Sequence, residues 1–406
     1  MSQTPDPEHD DTTRPVSYGP GPVLPQHDVP GQQGVPGQYG VPEQPGGAGQ
    51  PGQPGQPGQP GRQFYGGQPV YPEQQPYGGQ PAYPGQPAST PDPMPTEPRQ
   101  YQQLLRGPRY APWRPVIAIV LTVLFAIGAQ LVLIIPLMIY VVAAGLDPIQ
   151  VINNMAAEKV DAITFAYLIL GLASLIPLSM LANRIAHGVR PRYLSSVAGG
   201  FRWRWLLRCL MITVPLFVIY MVLQLVLDWD PGARPEQWIA LLIMVIVGIP
   251  FQSAGEEYAF RGMVLQNVGA WFGNRKVALI VSMIPSVLLF AAAHGSSDPW
   301  IFADLAVFAI SSCILVWRTG GLEASVALHA SNNITIMIAT ILFGGWDQAF
   351  VSASSQGNPL APLVTLVVNG VAVALILWQA KRHGIQRLYQ PIAPAPQIAP
   401  PLPQPR

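Results

Sequence analysis

The sequence predicts an all-α, polytopic membrane protein with eight transmembrane helices and a disordered N-terminal arm. Long apolar runs recur from Trp113 onward, and each is long enough as a helix to cross a hydrocarbon layer, which takes about 20 residues. Only 11% of the 406 residues are charged and the net charge is +1, so composition gives no support to a nucleic-acid partner. The chemistry of this chain is therefore expected inside or beside a membrane.

Residues 1–105 form the predicted arm, which we expect to be cytoplasmic. It is rich in Pro, Gly and Gln, has almost no aliphatic side chains and contains repeats such as Gln50-Pro51-Gly52. Such a composition cannot build a core, and it favours a flexible, partly polyproline-II chain. Either a solubilising tail or a docking arm for an unknown partner fits this pattern. The polar N-terminus shows no secretory signal, and residues 385–406 form a second Pro-rich tail.

The membrane domain is expected over residues 112–384, with its motifs between 256 and 333. Its eight expected spans run Val116 to Val142, Ala162 to Ala182, Trp205 to Leu227, Trp238 to Leu265, Val277 to Ala293, Trp300 to Val316, Ala324 to Phe343 and Ala361 to Leu377. The two cysteines, Cys209 and Cys313, both fall in apolar runs, which argues against a disulfide framework or a Cys-rich zinc site.

Loop charges predict the orientation of these spans, because short cytoplasmic loops are enriched in Lys and Arg. The basic residues fall on one side by alternation: Arg106, Arg109, Arg114, Arg184, Arg190, Arg192, Arg202, Arg204, Arg208, Arg275, Lys276, Arg318, Lys381, Arg382 and Arg387. The opposite loops carry mainly Asp and Glu. We therefore expect a cell-membrane protein with both termini in the cytoplasm.

Three ionisable residues, Glu256, Glu257 and Arg261, interrupt the fourth span. A charge in hydrocarbon costs at least about 2.5 kcal/mol on insertion scales, so such residues are functional candidates. On a helix Glu257 and Arg261 share one face, whereas Glu256 points ~100° away from Glu257. We expect Glu257 to pair with Arg261 and Glu256 to face a cavity, where an isolated acid is suited to act as a general base.

Two further helices carry polar groups. The fifth span ends at His294, and the seventh presents His329 and Asn333 one turn apart on one face. For these sites to meet, the fourth and fifth helices must extend beyond the membrane, with Met263 to Val277 as a cytoplasmic helical hairpin. The other intramembrane polar residues are expected to be interhelical hydrogen-bond partners: Gln130, Gln224, Asp304 and Asn369.

The motifs Glu256-Glu257-x-x-x-Arg261, Phe290-x-x-x-His294 and His329-x-x-x-Asn333, in this order, resemble those of the CPBP family of intramembrane proteases. This family has the type II CAAX prenyl endopeptidases as eukaryotic relatives and includes bacteriocin-processing and immunity proteins. The resemblance implies that Glu256 activates water with His294 near it, while His329 and Asn333 hold the oxyanion. Glu257 and Arg261 would then be supporting residues.

The implied function is hydrolysis of a peptide bond near the cytoplasmic membrane face, in a membrane-associated or lipidated substrate. Ligand geometry favours catalysis without a cofactor, although zinc bound by Glu256, His294 and His329 is an alternative. A non-catalytic scaffold or immunity-type protein of the same fold is a second hypothesis, and a transporter is a third. Membrane lipid is an expected partner in each case.

Overall fold

The computed structural model describes residues 92–156, 160–228 and 232–391. Within these ranges eight helices are long and apolar enough to cross a membrane, which confirms the fold class and the number of spans. Residues 1–91 and 392–406, which hold most of the expected arm and tail, lie outside the described residues.

Eleven α-helices and one π-helix make up nearly all regular structure in the described residues. The α-helices are α1 (Arg114–Ala143), α2 (Pro148–Ala156), α3 (Ala162–Ala173), α4 (Leu175–His187), α5 (Trp203–Asp228), α6 (Trp238–Glu257), α7 (Leu265–Gly269), α8 (Arg275–Ala292), α9 (Pro299–Thr319), α10 (Glu323–Phe343) and α11 (Ala361–Arg382). The π-helix (Tyr258–Val264) joins α6 to α7, and strands β1 (Arg99–Gln100) and β2 (Leu388–Tyr389) pair antiparallel.

Side-chain caps fix where several helices begin. The Asp161 carboxylate accepts a hydrogen bond from the Thr164 amide at 2.8 Å and starts α3. Asn274 accepts from two amides at the start of α8, and Asp298 does the same for α9. These short polar side chains satisfy amides that have no partner within the helix. Capping thus sets the boundaries that the apolar runs alone placed only approximately.

The surface of the bundle is strongly apolar, as a lipid-facing surface must be. Ile219, Val226 and Leu227 on α5 are 67%, 75% and 69% exposed. In contrast, 56% of the α10 span is buried, the largest share among the eight spans. The helix that carries His329 therefore lies at the centre of the bundle.

The second span is divided between α3 and α4 at Ser174, and α6 packs closely against this break. A methyl group added at Gly255 would overlap the carbonyl oxygen of Leu172. Glycine is thus required for the two backbones to approach, as is common where small residues mediate helix packing in membranes. Because Gly255 precedes Glu256, this contact positions the acidic pair.

The folded part of the chain begins before residue 105, so the expected arm boundary needs correction. Tyr101 and Leu104 are fully buried, and the Tyr101 hydroxyl donates to the Leu194 carbonyl at 2.5 Å. Burial raises the pKa of the Tyr101 phenol well above its usual range. Gln103 donates to the carbonyls of Phe272 and Gly273 at 3.0 and 2.9 Å. The composition predicted an arm because Gln and Pro rarely line a core, but Gln103 is itself buried and its side-chain amide bonds to the turn before α8.

The expected Pro-rich tail also begins inside folded structure. β2 pairs with β1, and the buried Tyr389 ring lies edge-on to Tyr193 with centroids 5.8 Å apart. Residues 385–391 therefore belong to the folded unit. The β1–β2 pair therefore joins the segment that precedes the first span to the segment that follows the eighth.

A hairpin formed by α7 and the start of α8 follows the π-helix, close to the range expected from Met263 to Val277. Asn274 at its turn is exposed, whereas Asn267 is fully buried and hydrogen bonded to His187 Nε2 at 2.9 Å. Chemical labelling at position 274 could therefore report which side of the membrane the hairpin faces, whereas burial alone would protect position 267.

An ion pair ties the start of α10 to the loop before α5. Arg202 contacts both carboxylate oxygens of the fully buried Glu323, at 2.9 and 2.6 Å. The same guanidinium donates to the carbonyls of Thr319 and Gln386. This bidentate, charge-assisted arrangement fixes the first turn of α10, the helix that carries His329.

Candidate functional site

The π-helix begins directly after Glu257 and carries Arg261. Short π-helical segments often occur at functional sites. Arg261 Nη1 lies 3.2 Å from Glu257 Oε1, and both side chains are fully buried. The guanidinium also lies over the Phe290 ring, 4.1 Å from its centroid. The ion pair expected from the spacing is therefore present, and a cation–π contact with α8 supports it.

The His329 imidazole lies between the two glutamates. Its Nδ1 is 2.9 Å from Glu257 Oε1, and its Nε2 is 3.5 Å from Glu256 Oε2. Since a carboxylate only accepts hydrogen bonds, Nδ1 carries the proton shared with Glu257. This contact fixes the ring so that Nε2 faces Glu256. Residues from α6 and α10 thus form one hydrogen-bonded unit.

Gln252 holds the other side of Glu256. Its Nε2 donates to Glu256 Oε1 at 2.5 Å, and its own Oε1 accepts from Ser253 at 3.2 Å. Glu256 is 8% exposed. One carboxylate oxygen is therefore fixed, while the other is buried next to His329 Nε2 and has no hydrogen-bond partner among the described residues.

A cavity of about 440 Å³ adjoins this unit and includes His294, His329 and Asn333 in its wall. The wall also contains Tyr220 on α5, Asp304 on α9 and Asn358 in the loop before α11. Glu256 is not part of the wall, contrary to the expectation that it faces a cavity; the wall residue next to it is His329. The cavity is large enough for part of a peptide.

His294 and Asn333 face this cavity in defined orientations. His294 Nδ1 donates to the Phe290 carbonyl at 2.9 Å, which leaves Nε2 for the cavity. Asn332 Nδ2 donates to Asn333 Oδ1 at 3.1 Å, which leaves the Asn333 amide nitrogen as a donor. The Phe290 ring contacts both imidazoles, with centroids 4.8 Å from His294 and 5.8 Å from His329.

The structure therefore brings residues of the three sequence motifs together at one place. His294 was expected near Glu256, with His329 grouped with Asn333. The imidazole within 3.5 Å of Glu256 is that of His329. Gln252 was not anticipated, although its position one turn before Glu256 on the same helix is a signal that could have identified it.

The zinc alternative requires three ligands from Glu256, His294 and His329. Among the described residues, no group of three His, Cys, Asp or Glu side chains is placed to hold a metal ion. Glu256 and His329 lie side by side, but no third side chain of this kind joins them among the described residues. As placed, these side chains do not form a three-ligand site.

Comparison with known proteins bears on this arrangement. Residues 235–335, about a quarter of the chain, match the family model described as type II CAAX prenyl endopeptidase Rce1-like. The resemblance to this family is thereby confirmed. The matched segment contains α6, the π-helix and the part of α10 that carries His329 and Asn333. With its eight apolar helices, the chain is a multi-pass membrane protein.

The chain is also similar to the uncharacterized protein YyaK of Bacillus subtilis (strain 168). The two are 29% identical over 154 residues, which is 36% of this chain and 51% of YyaK. The alignment thus spans about half the length of that relative. No solved structure shows significant similarity to this chain.

Proposed function

We propose that this chain is an intramembrane endopeptidase in which Glu256 activates the attacking water. The observation that carries the proposal is the His329 imidazole held between Glu256 and Glu257 beside a cavity. The family match supports a CAAX-type protease activity in general terms. Acid–base chemistry at a buried carboxylate next to an oriented imidazole is the reaction that these groups favour.

In the proposed reaction Glu256 Oε2 takes a proton from water while the water oxygen attacks the carbonyl carbon of the scissile peptide bond. Gln252 keeps the other oxygen of Glu256 in place. As the tetrahedral intermediate collapses and the C–N bond breaks, Glu256 returns the proton to the leaving nitrogen. The carboxylate thereby serves first as base and then as acid.

Donors facing the cavity would stabilise the negative oxygen of the intermediate. In its imidazolium form His329 donates from both nitrogens, to Glu257 through Nδ1 and toward the reacting groups through Nε2. The Asn333 amide nitrogen is a second donor, oriented by Asn332. Preorganised donors of this kind contribute much of the rate enhancement in acyl-transfer sites. His294 assists through its Nε2, which faces the same cavity.

Glu257 and Arg261 act as positioning residues in this proposal. Their ion pair holds the carboxylate that receives Nδ1–H of His329. Neither group touches the reacting atoms. The proposed active unit needs no cofactor, so a zinc chelator should leave the activity of purified protein intact; loss of activity with recovery on adding zinc would overturn that part of the proposal.

The proposed substrates are membrane-associated or lipidated peptides, cut near one membrane face. His329 lies six residues after Glu323, the first residue of α10, or about 9 Å along the helix. The arginine-rich loops lie at this end of the bundle, so the proposed cleavage is near the cytoplasmic face. In this orientation both termini are cytoplasmic, and we propose the cell membrane as the location.

Comparative mass spectrometry of peptide termini tests the function. Membranes from cells expressing the wild type, Glu256→Gln or Glu236→Gln are compared, because Glu236 is an exposed glutamate that serves as a matched control. We expect termini that appear with the wild type and Glu236→Gln but not with Glu256→Gln. Identical sets from all three proteins, at equal expression, would indicate a non-catalytic scaffold instead.

A further inference from the structure

Asp304 is a carboxylate in the wall of the cavity that the proposed mechanism does not use. It lies on α9 among Leu305, Phe308, Val364 and Val368, which also line the cavity. No Lys or Arg side chain lines the cavity, and no ion pair joins Asp304 to any described residue. A carboxylate at this depth is costly unless something pairs with it.

Two polar atoms of this region lack hydrogen-bond partners among the described residues. They are Asp304 Oδ1, an acceptor, and Asn369 Nδ2, a donor. Asn369 is only 1% exposed and belongs to the cavity wall. Thr365, one helical turn before Asn369 on α11, is a hydrogen-bond partner of Asp304, so the two free atoms lie on neighbouring faces of α9 and α11. Buried groups of this kind are normally satisfied by protein or by ordered water, and a ligand that enters the cavity must replace the hydrogen bonds of the water that it displaces.

We propose that Asp304 and Asn369 form a subsite for a basic residue of the peptide substrate. The guanidinium or ammonium group pairs with Asp304, and a backbone carbonyl of the same residue accepts from Asn369. Their complementary donor and acceptor properties match such a residue, whereas a purely apolar peptide would leave both atoms unsatisfied.

The position of the subsite relates it to the reacting groups. Phe308 lies one turn after Asp304 on α9, and its ring centroid is 5.1 Å from that of His329. Asp304 is one helical turn, ~6 Å, farther along α9, so its carboxylate lies roughly 11 Å from the His329 ring. An extended peptide covers roughly 3.3 Å per residue, so the basic residue lies about three residues from the scissile bond. This role in substrate choice rests on the proposed function, but binding at Asp304 can be measured without turnover.

The test uses full-length protein in detergent and dicyclohexylcarbodiimide, an apolar reagent that modifies carboxyl groups. Mass spectrometry quantifies the adduct on Asp304 in the presence of acetyl-arginine amide or acetyl-citrulline amide, which differ in charge but hardly in shape. We expect the arginine compound to reduce the adduct at least threefold and the citrulline compound to leave it unchanged. Asn369→Leu should weaken this protection, and Asp298→Asn, at the start of the same helix, should not.

Absence of any adduct on Asp304, or equal protection by both compounds, would overturn the subsite. Repeating the measurement in Glu256→Gln separates the two proposals. If acetyl-arginine amide protects Asp304 but no cleavage depends on the wild-type protein, the protease function is refuted and the cation site stands. If the Asp304→Asn variant cleaves with the same sequence preference as the wild type, the subsite is refuted and the protease function stands.

Discussion

The buried pair of Glu257 and Arg261 permits a quantitative prediction. Both side chains are fully buried, and their closest atoms are 3.2 Å apart. Replacing Arg261 by Met strands a carboxylate, and replacing Glu257 by Gln strands a guanidinium. Breaking one partner of a buried ion pair typically costs about 3–5 kcal/mol. At roughly 2–4 °C per kcal/mol for a unit of this size, each single substitution should lower the unfolding temperature by about 6–20 °C.

The double variant Glu257→Gln/Arg261→Met removes both charges and should recover much of this loss, because no uncompensated charge remains. The chain offers its own reporters for the measurement. Cys209 and Cys313 are both fully buried free thiols, so a thiol-reactive fluorescent dye labels them only on unfolding. If the fall in unfolding temperature of the double variant equals the sum of the two single falls, the pairing is refuted.

Three further outcomes follow from the geometry. Gly255→Ala should cost about 1–3 kcal/mol and reduce activity, because the added methyl overlaps backbone, whereas Gly370→Ala, with open space around it, should do neither; thermal unfolding and cleavage assays check both. Gln252→Leu removes the hydrogen bond that holds Glu256 and should lower kcat about tenfold or more without loss of folding; unchanged kcat would contradict this role. Burial raises the pKa of Tyr101, so the stability that its neutral phenol contributes is complete below about pH 10 and is lost as pH rises through the pKa of the folded state. Tyr101→Phe should be about 1 kcal/mol less stable at pH 7, because the hydrogen bond to Leu194 is lost, and should lose less stability at alkaline pH. Thermal unfolding measured between pH 7 and pH 11 checks both expectations.

The spans could be predicted from the sequence because lipid leaves few solutions for an apolar run of sufficient length. Trp238 was the expected and observed start of the fourth span, and Phe343 the end of the seventh. The pairing of Glu257 with Arg261 also followed from local helix geometry. Properties that depend on one helix alone were therefore accessible.

Properties that depend on contacts between helices were not. Which imidazole lies beside Glu256 is decided by the packing of α10 on α6, so the choice of His329 over His294 could not come from spacing. The close approach at Gly255 likewise depends on a carbonyl of another span. Burial of Tyr101 was missed for a different reason, since its neighbours in sequence have the composition of a solvated arm.

The most direct test of the central proposal, that Glu256 and His329 act on one water molecule, is a kinetic double-mutant cycle. With a peptide identified from the comparison of termini, kcat/KM is measured for the wild type, Glu256→Gln, His329→Ala and the double variant in proteoliposomes. Residues that act as a unit are strongly non-additive, so the double variant should be no slower than the slower single variant. Near-wild-type kcat/KM for Glu256→Gln, or losses that simply multiply in the double variant, would contradict a shared hydrolytic centre.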